Sequence, residues 1–222
     1  MLYDFHTHTF LSDGSLSAME LIRMACVAGY GAIGITDHVG PGSLARVLSE
    51  IKQDCALARA HWGIVAIPGV ELTHIPPAAI PELAHRAKEL GASLVVVHGE
   101  TLSEPVIRGT NLAAVQCRYV DILAHPGALS AEEAASASKN GVFIEITTRK
   151  SHRQPNAEIA KAAIQSGALV LVNSDAHDPE DLLNLDLATA TAHAAGIHDS
   201  LVAGALEKNP ALLLERIRPT LR

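Results

Sequence analysis

The stretch Asp4-Phe5-His6-Thr7-His8-Thr9, close to the start of the chain, is where the interpretation of the fold begins. In an extended strand, residues i, i+2 and i+4 share one face, so the side chains of Asp4, His6 and His8 are predicted to point the same way. Two adjacent imidazoles are the beginning of a divalent metal site, and a nearby carboxylate can orient one of them. A His-x-His pair on a strand is also often incidental, so the rest of the chain decides its meaning.

Composition and charge restrict the class of protein. The chain has 222 residues, a hydrophobic fraction of 48% and a formal net charge of −7, which predicts a single domain, residues 1–222, with a sizeable core. An acidic chain does not fit a protein that binds nucleic acid through a broad basic face, so we do not expect a nucleic-acid partner. The 3 cysteines form no C-x-x-C pair, which fits a reducing compartment.

Targeting signals are also absent from the sequence pattern. No cationic segment leads into an apolar run, and no apolar run reaches membrane-spanning length. We therefore expect a cytoplasmic protein with no membrane association, while the oligomeric state stays open.

Strand-like and helix-like segments alternate along the whole chain. A Ser17–Glu20 capping box opens the first predicted helix, which ends near Gly29, and further helices are predicted over 43–62 and 81–90. After the first strand, strands are predicted over 32–36, 64–72, 93–97, 120–124, 142–147 and 169–173.

Glycine recurs at the predicted junctions between helix and strand, where a left-handed residue ends a helix. These junction glycines are Gly31, Gly63, Gly91, Gly141 and Gly167. Repeated alternation of this kind predicts an α/β fold with a parallel sheet, and seven units of this length fit a closed barrel. We therefore predict a seven-stranded relative of the TIM barrel in preference to an open doubly wound sheet.

Histidines and carboxylates recur where the predicted strands end. In α/β barrels the functional groups gather at this rim, because the loops that follow the strands meet there. Each residue alone has an ordinary explanation: His38 as a helix cap, His125 as a turn residue and Glu71 as a solvated acid. Their common position predicts one functional site. The strand-end residues are His6, His8, His38, Glu71, His98, His125, Asp175 and His177.

Taken together, these strand ends resemble those of a known family, the PHP (polymerase and histidinol phosphatase) domain proteins. The resemblance covers residues 4–177 and implies a distorted (βα)7 barrel with metals at the carboxyl ends of the strands, most similar to a stand-alone histidinol phosphatase. The motifs, in the family's order, are His6-Thr7-His8, Asp37-His38, Gly69-Val70-Glu71, Val97-His98, Ala124-His125-Pro126 and Ser174-Asp175-Ala176-His177.

The resemblance implies two to three divalent cations and a ligand set for each. The implied sets are His6, His8, Glu71 and Asp175 for one cation, Glu71, His98 and His125 for a second, and Asp13, His38 and His177 for a third. Asp13 stands where many relatives have histidine, and Asp13-Gly14 is also an ordinary turn dipeptide. We expect the third site to be weaker or to prefer a different metal. Nitrogen and oxygen donors without cysteine suit Zn, Mn or Fe(II).

Clustered cations of this kind predict hydrolysis of a phosphomonoester. They lower the pKa of a bridging water, whose hydroxide is the expected nucleophile, and they offset the charge that builds up on phosphorus. Asp175 and His177 are candidates for proton transfer, although a bound metal ligand is a poor free acid.

The basic segment 145–153 follows the sixth predicted strand and is a candidate for binding phosphate. Arg149 offers a planar bidentate contact, and His152 or Arg153 could supplement it. The alternative is a solvated loop. Glu145 is interpreted either as a carboxylate behind the metal ligands or as a buried acid with a local partner, and Glu100 has a similar, weaker claim.

Three functions are consistent with these features. The first is a phosphatase acting on a small phosphorylated molecule, which the short acidic chain favours. The second is a nucleotide or oligonucleotide phosphoesterase, which would need a basic groove or an attached nucleic-acid-binding domain. The third is a non-enzymatic barrel like the protein subunit of ribonuclease P, in which most metal ligands are expected to be missing.

Overall fold

The computed structural model describes residues 1–221 as a nearly closed barrel of parallel strands. The strands are β1 (Leu2–Asp4), β2 (Tyr30–Ile35), β3 (His38–Val39), β4 (Val65–Leu72), β5 (Leu94–His98), β6 (Ile122–Ala124), β7 (Phe143–Thr147) and β8 (Val170–Asn173). They pair in the order β1-β2-β4-β5-β6-β7-β8, and β3 also pairs with β4. β2 and β3 are consecutive in sequence and both pair with β4, so together they occupy one position in the sheet. The sheet therefore has seven strand positions, which confirms the predicted distorted (βα)7 fold.

Helices cover the outside of the barrel and alternate with the strands. They are α1 (Ala18–Val27), α2 (Leu44–His61), α3 (Ile80–Glu89), α4 (Thr110–Gln116), α5 (Ala131–Asn140), α6 (Asn156–Gln165), α7 (Leu185–Ala194), α8 (Asp199–Ala203) and α9 (Asn209–Ile217). Short 3-10 turns lie at Pro77–Ala79, Pro179–Asp181 and Arg218–Leu221, and a π-helical turn lies at Gly204–Lys208. Among residues 1–221, no helix combines the length and the apolar character needed to cross a bilayer.

The junction between β1 and β8 joins the two ends of the sheet just beyond the strands themselves. The backbone N–H of His8 donates to the carbonyl of Ala176 at 2.8 Å, and that of Asp175 donates to the carbonyl of His6 at 3.0 Å. A side-chain contact adds to this junction, since the amide oxygen of Asn173 accepts from the N–H of Phe5 at 3.1 Å. The segment after β1 is therefore held in an extended form by β8, although β1 itself ends at Asp4.

Capping explains where several helices begin and end. The predicted box at Ser17 and Glu20 is present at the start of α1, and a second box lies at the start of α5. Gly63, Gly91, Gly141 and Gly167 have the predicted left-handed backbone. The prediction for Gly31 is wrong, because this residue lies inside β2, where a side chain would collide with Met1.

The core has two layers. Inside the barrel, Phe5, Leu94 and Ile122 belong to a buried cluster that also contains Leu213 and Ile217 of α9. A larger apolar layer fills the space between the strands and the surrounding helices. Because α9 packs onto the interior cluster, it covers the end of the barrel opposite the carboxyl ends of the strands.

Asp121 anchors this lower end of the barrel. Its Oδ2 accepts hydrogen bonds from the Val95 backbone N–H at 2.8 Å and from the Lys88 ammonium at 2.6 Å, and its Oδ1 accepts from Arg216 of α9 at 3.1 Å. One nearly buried carboxylate thus links β5, α3 and α9. In α/β barrels, residues at this end contribute to stability rather than to the active site.

We expect Asp121→Asn to lower the free energy of unfolding by about 2–4 kcal/mol, because it removes charge-assisted bonds to two cations. Urea denaturation followed by circular dichroism measures this loss. Asp54→Asn on α2 is the matched control, since partial burial and then the neighbouring Glu50 carboxylate raise the pKa of Asp54, so that its charge is not stabilised by cations. An unchanged unfolding free energy in Asp121→Asn would show that the anchor contributes nothing.

Candidate metal centre

The carboxyl ends of the strands bring all the residues of the three implied ligand sets into one cluster. The imidazoles of His6, His8, His98 and His125 are almost fully buried, as are the carboxylates of Glu71 and Asp175. Asp13 is the open member, with 54% of its side chain exposed. The cluster is therefore reached from solvent on the side of Asp13.

Glu71 lies at the middle of the cluster. One of its oxygens is 3.3 Å from Nε2 of His6 and 3.2 Å from Nδ1 of His98. The other oxygen is 2.6 Å from Nδ1 of His38. The rings of His8 and His125 also approach this carboxylate, each at 3.7 Å.

Asp175 forms a second centre, and its carboxylate approaches the same Nε2 atoms of His6, His8 and His125 that Glu71 approaches. Its Oδ1 is 3.1 Å from Nε2 of His8 and 3.8 Å from Nε2 of His6, and its Oδ2 is 3.7 Å from Nε2 of His125. His6, His8, Glu71 and Asp175 therefore surround one small volume, as the resemblance implies.

The outer part of the cluster contains the third implied set. Asp13 contacts Nε2 of His177 at 3.2 Å and Nε2 of His38 at 3.6 Å. Nδ1 of His8 is 3.9 Å from the same carboxylate. His8 therefore touches both the inner and the outer parts of the cluster through its two ring nitrogens.

Donor atoms within 4.8 Å of one another fall into overlapping groups rather than three separate ones. The groups are His8, Asp13, His38 and His177; His6, Glu71 and His125; His6, His8 and Asp175; His38, Glu71 and His98; and His125, His152 and Asp175. The outer group matches the third implied set with His8 added. The inner groups share Glu71 and Asp175, and the last group adds His152, which no implied set contains.

Several buried nitrogens of the cluster have no hydrogen-bond partner among residues 1–221. They are Nε2 of His6 and both ring nitrogens of His8 and of His125. A buried polar atom without a partner is costly and rare in native proteins. Imidazole nitrogens and carboxylate oxygens at these separations are the donors that divalent cations such as Zn²⁺ take. The residues present therefore fit a centre for divalent cations.

Burial and mutual proximity shift the pKa values of these groups. Burial lowers the pKa of His98, but the carboxylates of Glu71 and Glu104 outweigh it and raise that pKa to about 10. Burial raises the pKa of Asp175 to about 7, in spite of the neighbouring His6. The imidazoles around Glu71 hold the pKa of its carboxyl well below the usual range, although burial acts in the opposite direction.

Two further carboxylates contact the outer nitrogens of the ligand rings. Glu145 is fully buried, and its Oε2 is 2.7 Å from Nδ1 of His6 and accepts from the Asn173 amide at 3.0 Å. Glu104 approaches Nε2 of His98 at 3.1 Å. Such partners fix the orientation of a ligand imidazole and increase its basicity. Glu145 thus lies behind the candidate ligand His6 and is also a buried acid with local partners, which fits both of its interpretations. Glu104 was missed, because no sequence pattern places its loop over His98.

Glu100 has a different role from the one considered. Its Oε1 accepts from the backbone N–H groups of Gly109 and Asn111, at 2.8 and 3.0 Å. It therefore braces the loop before α4 and is not a partner of the ligand rings.

Asp37, which the sequence placed in a motif with His38 but in none of the implied ligand sets, supports the outer part of the cluster. Its Oδ1 accepts from the backbone N–H of Thr9 at 2.8 Å and from the Ser12 hydroxyl at 2.7 Å. These bonds fold the segment that carries Asp13 back toward the barrel. The only sequence signal was the position of Asp37 directly before His38.

The side chains of the basic segment after β7 lie partly in the cluster and partly on the surface. Arg149 donates from Nη1 to Nδ1 of His177 at 2.6 Å and to the carbonyl of Asp175 at 3.0 Å. His152 is buried beside His125, with 4.4 Å between the ring centroids. Arg153 is exposed and lines a surface cavity between α6 and α7. The structure therefore brings Arg149 and His152 to the cluster and leaves Arg153 outside it.

Backbone strain coincides with the ligand residues. His125 has a φ of 26° and Asp175 a φ of 55°, both in the left-handed region that non-glycine residues seldom adopt. Strained residues of this kind collect at functional sites, where the surrounding structure holds them.

Two relatives of similar length resemble the chain in sequence. It is 43% identical to uncharacterized protein MJ1295 of Methanocaldococcus jannaschii, covering 98% of this chain and 100% of the relative. It is 30% identical to a probable phosphatase of Shewanella pealeana, covering 79% of this chain and 77% of the relative. No family model matches the chain.

Solved structures share the fold at low sequence identity. A chain of archaeal ribonuclease P with mature tRNA, solved by cryo-EM, has a TM-score of 0.68 at 17% identity and covers 99% of this chain and 90% of its own length. Histidinol phosphate phosphatase of Lactococcus lactis, complexed with Zn, L-histidinol and phosphate, has a TM-score of 0.62 at 17% identity, with coverage of 89% and 94%. At these identities the similarity concerns the barrel alone.

Metal binding should release protons at neutral pH. His98, whose pKa is about 10 in the metal-free protein, is protonated at pH 7, and a cation that takes its ring nitrogen displaces that proton. Cation affinity should therefore fall as the pH falls below about 10. Calorimetric titration with Zn²⁺ in two buffers of different ionisation enthalpy measures the number of protons released.

Glu104→Gln is the matched control for this measurement. Removing its charge lowers the His98 pKa, so the variant should release fewer protons while Zn²⁺ still binds. Wild-type protein that binds Zn²⁺ without releasing protons would contradict the expectation.

Proposed function

This chain belongs to the family of the probable phosphatase of Shewanella pealeana, and from that premise we propose that it is a PHP-like metal-dependent phosphatase acting on a small molecule, similar to histidinol-phosphate phosphatases. The membership follows from the extent of its identity to the probable phosphatase of Shewanella pealeana. The observation that carries the proposal is the buried cluster around Glu71 and Asp175. Several imidazole nitrogens in this cluster have no hydrogen-bond partner among residues 1–221, and they lie close enough together to bind divalent cations.

The proposed centre holds two to three divalent cations. His6 and His8, with Asp175 and Glu71, would hold the first, and Glu71 would also contribute to the second together with His98 and His125. His38, His177 and Asp13 would hold the third. When bound, such cations lower the pKa of water and offset the charge of the phosphoryl group.

Arg149 is proposed to bind the substrate phosphate. Both of its hydrogen bonds use Nη1, and within residues 1–221 Nη2 has no hydrogen-bond partner. The Arg149 side chain is 29% exposed and is held beside Asp175 and His177. A phosphate at the mouth of the cluster, which is the solvent-exposed side next to Asp13, can therefore accept hydrogen bonds from the free N–H groups of the guanidinium.

Proton transfer is proposed for Asp175 or His177. Burial raises the pKa of Asp175 to about 7, which is the range in which a carboxyl group can both give and take a proton at neutral pH. A cation bound to Asp175 would lower this pKa and hold the carboxyl group ionised, so the value applies to the metal-free protein and His177 is kept as the alternative.

The charges around the mouth favour a small substrate over a polynucleotide. Asp13, Glu104 and Asp181 have partly exposed carboxylates beside the cluster, at 54%, 37% and 42% of their side chains. A long polyanion would meet these charges along its backbone, and binding of nucleic acids depends on contacts to basic groups. The likenesses to the ribonuclease P chain and to histidinol phosphate phosphatase both concern the fold alone, so the preference for a small substrate over the nuclease and ribonuclease P alternatives rests on these charges.

A hydrolysis screen tests the proposal. The protein is supplied with Zn²⁺, Mn²⁺ or Fe²⁺ separately and offered small phosphomonoesters, nucleotides and short single-stranded oligonucleotides, with phosphate release as the readout. Preferential turnover of small phosphomonoesters supports a phosphatase. Preferential cleavage of oligonucleotides, or no turnover with any metal, would overturn it.

Glu71→Gln should impair the reaction more than Asp13→Ala. Glu71 contacts rings of several donor groups at once, whereas Asp13 contacts only the outer group. We expect kcat/KM to fall about 100-fold or more for Glu71→Gln and about 10-fold for Asp13→Ala. Circular dichroism checks that both variants fold. Equal losses in two folded variants would argue against a central role for Glu71.

Replacing Arg149 should weaken transition-state binding without abolishing metal uptake. Lysine cannot reproduce the planar bidentate contact, and losing one preorganised donor costs about 2–4 kcal/mol, which corresponds to roughly 30- to 1000-fold in kcat/KM. Arg149→Lys and Arg149→Ala are compared on the best substrate of the screen. Arg153→Ala is the matched control, because Arg153 lies outside the cluster. Activity within a few-fold of wild type in both Arg149 variants would assign phosphate binding to the cations alone.

A further inference from the structure

His152 is a buried imidazole that joins two loops above the cluster. Its Nδ1 lies 2.7 Å from the Thr101 hydroxyl and 2.8 Å from the Ser103 hydroxyl. Its ring stacks on that of His125, with 4.4 Å between centroids and 23° between planes. These contacts fix the ring, and they determine which nitrogen is directed at the cluster.

The other nitrogen of His152 faces acidic oxygens. Nε2 is 3.8 Å from Oδ2 of Asp175 and 3.6 Å from Oε1 of Glu104. Nε2 of His125 is 3.7 Å from the same Oδ2 of Asp175. His125, His152 and Asp175 form one of the groups of mutually close donor atoms.

These separations match those of ligands on a single cation. Two donor atoms that each lie about 2.1 Å from a cation, at angles of about 110–120°, are about 3.4–3.6 Å apart. The two separations to Oδ2 of Asp175, 3.7 and 3.8 Å, are slightly longer, and the donor nitrogens of His125 and His152 lie within 4.8 Å of one another, so an inward movement of the side chains is needed to close the set. Nε2 of His125 is buried without a partner among residues 1–221 and lies on the inner side of this space.

We propose that His152 is a further ligand of the second cation, the one that His125 is proposed to hold with Glu71 and His98, so that His152 and Asp175 add to this cation two donors that its implied ligand set does not contain. This inference rests on the metal centre of the proposed function. A hydroxyl on Nδ1 and a cation on Nε2 use both nitrogens of the ring, as in ligand histidines whose second nitrogen is hydrogen-bonded.

This role differs from the phosphate contact considered for the same residue. Phosphate would need an N–H donor on Nε2, whereas a cation needs its lone pair. Nε2 is surrounded by the carboxylates of Asp175 and Glu104, which repel a phosphate and attract a cation. The local charge therefore favours the cation.

The experiment measures coordination directly. Protein labelled with ¹⁵N-histidine is loaded with ¹¹³Cd²⁺, and scalar coupling between the metal and ring nitrogens identifies each ligand imidazole. We expect coupling to Nε2 of His152, assigned by its loss in His152→Gln. Coupling to the other cluster histidines without coupling to His152 would overturn the inference and leave the proposed function standing.

Zn²⁺ titration of chelator-treated protein supplies an independent readout. His152→Ala should raise the dissociation constant of one cation by at least about 10-fold, since even the partners of ligands contribute that much. The matched control is His74→Ala, an exposed imidazole 3.6 Å from Glu104 but outside every donor group. We expect it to bind Zn²⁺ as wild type does.

A second control separates ligation from loop anchoring. The double variant Thr101→Val with Ser103→Ala removes the loop contacts of His152 and keeps its Nε2, so ¹¹³Cd coupling to His152 should persist. Unchanged Zn²⁺ binding in His152→Ala with a raised KM would assign His152 to the substrate phosphate and overturn the inference. A wild-type protein that takes up no divalent cation would overturn both this inference and the proposed function.

Discussion

The arrangement of the site depends on the contacts between the buried carboxylate of Glu71 and the imidazole rings around it. It is fully buried and touches the rings of His6, His38 and His98 within 3.3 Å. A buried carboxylate is stable only if positive charge or hydrogen-bond donors surround it. In the metal-free protein the imidazoles fill that requirement by binding protons, which is why the pKa of His98 is raised. With cations bound, the same positive charge comes from the metals, and the protons leave.

The barrel makes this crowding possible because its strands end at one rim. Glu71 lies on β4 between the neighbours that carry His38 and His98, and the register pairs His38 directly with Glu71. The backbone contacts between the 5–9 segment and β8 bring His6 and His8 against Asp175. Rings that are far apart in sequence thus meet without any long side chain having to reach across the barrel. The lower end of the barrel, held by Asp121 and α9, can then be stabilised without affecting the chemistry.

Sequence patterns predicted the parts of the structure that follow from period and strand order. Residues at a strand end, such as His98 and Asp175, could be placed at one rim because all parallel strands end on the same side. Glu104 and Asp37 could not be assigned, because their contacts depend on how a loop folds back over the barrel. Arg153 shows the same limit, since the chain turns between Arg149 and Arg153 and carries the Arg153 side chain to the surface beside α6.

The outer part of the cluster is built differently from the inner part. Asp13 is half exposed, and its position depends on the loop that Asp37 holds through Thr9 and Ser12. The inner donors are fixed by strand backbones and by Glu145, whereas the outer donors combine the rings of His38 and His177 with a half-exposed loop carboxylate. The outer set has a carboxylate oxygen in place of a third imidazole, and oxygen is a harder ligand than imidazole nitrogen. Compared with the inner set, the outer set should therefore bind Mn²⁺ better relative to Zn²⁺. Exchange of this outer cation with solvent should therefore be faster than exchange of the inner ones, because only the outer set can open without breaking the barrel rim.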